Sequence, residues 1–166
     1  MPTDPPISPR TFGDTVYRRA ALLQESEITL LRSAGLRPGD SACVRAEITY
    51  LKVFTADFII QSVYGMEPRT RSILDHFYDR VFGNGGDGLS VVDLMPRFVL
   101  YADAARGSRG ATGRSREIGE EFSNFCDDFL PEGHKVRMIR MGMTVHRAMT
   151  EAIYRFARFY AVEEKE

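Results

Sequence analysis

The stretch SACVRAEITYLKVFTADFIIQSVY, Ser41 to Tyr64, decides the fold class. It contains neither proline nor glycine and is closed by Gly65. At about 100° per residue, Val44, Ile48, Leu51, Phe54, Thr55, Phe58 and Ser62 share one broad side. Val53, Ala56, Ile60 and Val63 fall roughly on the other. A helix that is apolar nearly all round is packed on more than one side. It therefore needs several partners.

The flanking sequence supplies them as segments of helical period, separated by glycine and proline. Upstream, Asp14 reads as an N-cap and Gly35 as a stop, with a stripe of Val16, Ala20, Leu23, Ile28 and Leu31 between them. Downstream, Pro68 to Phe82 carries Ile73, Leu74, Phe77, Tyr78 and Val81. Ser90-Val-Val-Asp93 resembles a capping box that opens a helix to Arg106, with Pro96 near its start. A fifth helix is expected from Ser115 to Leu130. After the break at Pro131-Glu-Gly133, a long last helix is expected to run to Val162. Two glycine-rich stretches, Gly83–Gly88 and Gly107–Arg114, read as loops.

Together these segments predict an all-α chain of about six helices in a single orthogonal, globin-like or bundle domain over residues 12–162. Residues 1–11, with four prolines, predict an extended N-terminal arm, and 163–166 a solvated tail.

Composition narrows the classes. With 166 residues, 43% hydrophobic and 27% charged, the chain can bury a core without staples. A net charge of −1 argues against recruitment by nucleic acid or an anionic membrane. There is no run of about 18 uncharged apolar residues to span a membrane. Met1-Pro-Thr-Asp-Pro-Pro has no basic and apolar regions of a signal peptide. Cys43 and Cys126 are then expected as buried free thiols in a reducing cytoplasm.

Two sets of residues are candidates for chemistry. On the Ser41–Tyr64 helix, Glu47, Tyr50, Asp57 and Gln61 share a narrow polar arc inside the predicted bundle, and His76 on the next helix is a further interior candidate. A carboxylate there would titrate high or hold a ligand. The stretch Arg106 to Arg116 holds Arg106, Arg109, Arg114 and Arg116 with no acid among them, and Ser115 is the expected start of a helix. Guanidinium groups, glycine-freed amides and a helix start make an anion site.

Neither Glu-x-x-His, His-x-x-x-His nor Gly-x-Ser-x-Gly occurs, so familiar helical metal and hydrolase sites are absent. No cofactor is specified, although one proximal histidine among His76, His134 and His146 would satisfy a haem protein. Arg116–Glu132 is acidic and His134–Arg158 basic, which predicts antiparallel pairing of the last two helices through opposite charge. The sequence thus leans away from catalysis. It favours a regulatory or interaction module that binds a helical partner, a second copy or a small anionic ligand. The alternatives are a small-molecule or cofactor binder, or an enzyme using the interior carboxylates.

Overall fold

The computed structural model describes residues 6–83, 89–107, 110–160 and 162. Within them the chain forms α1 (Pro9–Ala21), α2 (Glu25–Ser33), α3 (Pro38–Tyr64), α4 (Pro68–Gly83), α5 (Val91–Gly107), α6 (Gly110–Asp127) and α7 (Lys135–Phe159). The fold is all-α. Among the described residues the only β-type contact is an isolated parallel bridge between Ile7 and Val162, which joins the two ends of the chain.

The all-round apolar character of α3 places it at the centre. It packs against α1, α4, α5, α6 and α7. Every residue from Tyr50 to Ala56 is buried. One core cluster holds Phe12, Val16, Ile73, Phe77, Met149 and Ile153. A second holds Tyr101, Ile118, Phe122, Met138 and Val145. Phe58 of α3 and Phe98 of α5 pack against both.

The structure corrects several boundaries. The first helix starts at Pro9, not Asp14, so residues 9–11 are helical rather than part of an extended arm. Ser8 is the N-cap, its Oγ accepting from Thr11 N at 3.2 Å, and proline is suited to the first turn. The expected helix from Asp14 to Ala34 is two helices. The chain breaks at Leu22–Gln24, where Glu27 Oε2 accepts from Gln24 N at 2.8 Å and Lys52 Nζ donates to the Leu22 carbonyl at 2.8 Å. That tertiary bond takes up a carbonyl that would otherwise continue the helix. Cys43 is exposed and only Cys126 is buried.

The Gly107–Arg114 loop is also shorter than expected, because α6 is helical from Gly110. Its glycines disfavour helix by up to about 1 kcal/mol each. Packing against α7 offsets this. A Cβ on Gly119 would lie 2.6 Å from the Ile139 carbonyl, and one on Gly142 2.8 Å from Phe122 Cβ. The two helices meet at glycines, so their backbones come close. Charge has little part in that seam. Arg116 pairs with Glu120 and Arg155 with Glu151, each within its own helix. Among the described residues the only ion pair from α6 to α7 is Lys135–Asp127, at 4.0 Å. Residues 84–88 of the first glycine-rich stretch, and the tail 163–166, lie outside the described residues.

Candidate functional site

The polar arc of α3 divides into two places. Glu47 and Tyr50 meet Arg97 of α5. Arg97 Nε donates to Glu47 Oε2 at 2.8 Å, its Nη2 donates to the other carboxylate oxygen, and its guanidinium lies 4.4 Å from the Tyr50 ring centroid. Glu47 is buried and its two oxygens are taken. This is a closed, bidentate pair. Burial also raises the Tyr50 phenol above its ordinary range.

Ten residues on, about 15 Å along the axis, Asp57 accepts from Gln61 Nε2 at 2.9 Å and from the hydroxyl of Tyr78 on α4. Burial raises its carboxyl above the usual range, and the two hydrogen bonds oppose this. Asp57 and Gln61 line a groove of about 510 Å³ between α3 and α5, and Arg106 stands at the same groove. His76 belongs to neither place. It sits where α1 crosses α4, and a Cβ added to Gly13 would lie 3.2 Å from its Cβ.

The four arginines do not form one cluster. Arg106 ends α5 and pairs with Asp103 at 3.3 Å. Arg109 lies outside the described residues. Arg116 pairs with Glu120 at 3.0 Å on an exposed face. Arg114 is two residues earlier on the same helix, about 200° round the axis, and turns inward. Its guanidinium lies 5.5 Å from the Phe58 ring centroid.

Arg114 enters a second groove, of about 400 Å³, between α3, α6 and α7, which Arg147, His146, Thr150 and Ser115 also line. Sequence reasoning had His146 only as one of three possible haem ligands and missed Arg147 and Thr150. The only signal for them was their spacing on α7, which becomes a site only once α6 supplies Arg114. The groove is left unfinished by the protein. Nε of Arg114 and Oγ1 of Thr150 are both removed from solvent without a hydrogen-bond partner. Among the described residues neither Arg114 nor Arg147 has an acidic partner. The one acid at the rim, Glu151, is paired with Arg155.

His146 is buried at the back of this groove. Burial pushes its imidazole down to about 4, and the charges of Arg114 and Arg147 act in the same direction. It is therefore neutral at pH 7. Its tautomer follows from its neighbour. With the single proton of Thr55 Oγ1 assigned to the Leu51 carbonyl at 2.8 Å, Thr55 accepts from His146 Nδ1, 3.0 Å away. That assignment puts the ring proton on Nδ1 and leaves a lone pair on Nε2.

Comparison with protein-family models, with curated proteins and with solved structures finds no match. What this groove can do therefore follows from its own groups. Two uncompensated guanidinium groups and two unmade donors favour an anion. Among the described residues, no three His, Cys, Asp or Glu side chains are grouped to hold a metal, and no helix is long and apolar enough to cross a membrane.

Proposed function

We propose that the chain is a non-catalytic helical binding module whose ligand is a small anion seated between α3, α6 and α7. The observation behind this is the pair of buried donors without acceptors, Arg114 Nε and Thr150 Oγ1, in a groove that also holds Arg147. A buried donor left unmade costs about 1–3 kcal/mol. An anion that accepts from both recovers this and neutralises charge that the protein leaves uncompensated.

The test is a thermal-shift titration with inorganic phosphate on the wild type, Arg147→Ala and Arg116→Ala. Ligand binding to the folded state alone raises the melting temperature. The wild type and Arg116→Ala should both rise with phosphate, because Arg116 is spent on Glu120. Arg147→Ala should rise much less. Equal rises in all three variants would refute the groove as the binding site.

A second reading, docking of a helical partner or a second copy, has one observation in its favour. Val92, Met95, Pro96, Val99 and Leu100 lie at helical spacing on α5 and are all exposed. Contiguous apolar exposure of this kind marks interaction surfaces. Sedimentation velocity tests the second-copy form. A concentration-dependent dimer dispersed by Val99→Asp would support it, and a monomer at every concentration would refute it.

A further inference from the structure

The groove's inventory is not all of one sign, and the exception concerns which anion fits. Arg114 Nε, Thr150 Oγ1 and the Arg147 guanidinium are donors and want acceptor oxygens. His146 Nε2 is an acceptor, because Thr55 holds the ring proton on Nδ1. Among the described residues no side chain or backbone group donates to Nε2; the one hydrogen bond of the ring is that to Thr55. A fully deprotonated oxyanion would place an oxygen lone pair against the nitrogen lone pair. An oxyanion that keeps a hydroxyl satisfies every group at once.

Building on the anion site proposed above, we infer that its ligand is a protonated oxyanion of the phosphate class, which accepts from Arg114, Thr150 and Arg147 and donates its own hydroxyl proton to Nε2 of His146. Inorganic phosphate retains a proton at neutral pH. A phosphate monoester, with a second pKa near 6, has largely lost its proton at pH 7.5 and regains it as pH falls. Sulfate has the same shape and no proton to give. The groove discriminates through a bond the wrong ligand cannot make, with an oxygen lone pair set against the nitrogen lone pair as the penalty.

The charged and titratable groups around the imidazole are Arg114 from α6 and Arg147, Glu151 and Tyr154 from α7, while α3 contributes the neutral Thr55 and Ile59. Glu151 is held by Arg155. The group that changes the selectivity as pH falls is therefore His146 itself. Its protonation would turn Nε2 into a donor and make sulfate acceptable.

The experiment is isothermal titration of the full chain with inorganic phosphate, sulfate and a simple alkyl phosphate, at pH 7.5 and again near pH 4. All arms use the wild type, so no variant has to fold. At pH 7.5 phosphate should bind about tenfold tighter than sulfate, the equivalent of one net hydrogen bond. The gap should narrow as pH falls toward 4, where His146 protonates, chiefly through stronger sulfate binding. Alkyl phosphate, which has largely lost its proton at pH 7.5, should bind as weakly as sulfate there and tighten as pH falls; binding as tight as phosphate at pH 7.5 would overturn the protonated-anion inference. Equal phosphate and sulfate affinities at pH 7.5 would overturn the protonated-anion inference while leaving an anion site. No binding of any of the three would overturn the site as well.

Discussion

Lys52 on α3 and Arg114 on α6 are both cations drawn into the bundle, yet their surroundings are completed in different ways. Lys52 Nζ donates to Glu27 Oε2 at 2.9 Å and to the Leu22 carbonyl at 2.8 Å, and both charged side chains are buried. Burial lowers its pKa, while Glu27 acts to raise it. Arg114 has an aromatic face beneath it, a second arginine and a neutral histidine in its groove, a buried Nε with nothing to bond, and no carboxylate partner. The first cluster is complete inside the protein and acts as a joint between α3 and the α1–α2 turn. The second is complete only with something added. The difference teaches that buried charge in this fold is structural where the chain supplies the counter-group, and a binding candidate where it does not.

Breaking the closed side should have the largest effect. Lys52→Ala leaves Glu27 buried without its cation and should cost about 3–5 kcal/mol in urea unfolding. Glu27→Leu combined with Lys52→Met removes both charges and should recover most of that loss. If the double variant is as unstable as the single one, the ion pair is not what joins these segments.

The open side should appear in the acid limb of stability. The folded pKa of His146, about 4, lies below its ordinary 6.5. Between these values the unfolded chain binds more protons, so stability falls as pH falls from 6.5 to 4. The full contribution is at most about 3 kcal/mol. His146→Gln should flatten that part of the pH–stability curve. An unchanged slope would mean that His146 is not held neutral by the fold.

Gly119→Ala addresses the frame that brings the open groove together. The added methyl meets backbone at the α6–α7 crossing and should cost about 1–3 kcal/mol in unfolding. It should also weaken phosphate binding, because it displaces Arg114 relative to His146. A neutral substitution would show that the crossing has slack. The smallest expected effect is on the stability of Arg114→Ala, within about 1 kcal/mol of wild type, since no ion pair is lost.

Much of this arrangement was legible before the fold was known. The all-round apolar pattern of Ser41–Tyr64 announced a central helix, and Gly35 and Gly65 do end turns with φ of 65°. The split between α1 and α2 was hidden because Leu23 and Ile28 continue a helical stripe; the break comes from Lys52, distant in sequence. The early start of α6 was hidden because glycine reads as loop, whereas here it permits a close crossing with α7. Glu47 is buried, but nothing in the sequence tied it to Arg97, fifty residues away. Arg114 was singled out as one of four loop arginines. It is a groove residue for a different reason, helical phase, which also sends Arg116 to the opposite face. His146 and Thr150 had only their spacing on α7 to mark them, because their significance depends on Arg114 from α6 and, for His146, on Thr55 from α3.

The central claim, that the groove left open between α3, α6 and α7 takes an anion, is tested most directly by isothermal titration of inorganic phosphate into the wild type and Arg114→Ala at neutral pH. One site per chain, weakened at least tenfold by Arg114→Ala with the fold intact by circular dichroism, is the predicted result. No heat of binding in the wild type, or the same affinity in both proteins, would contradict it.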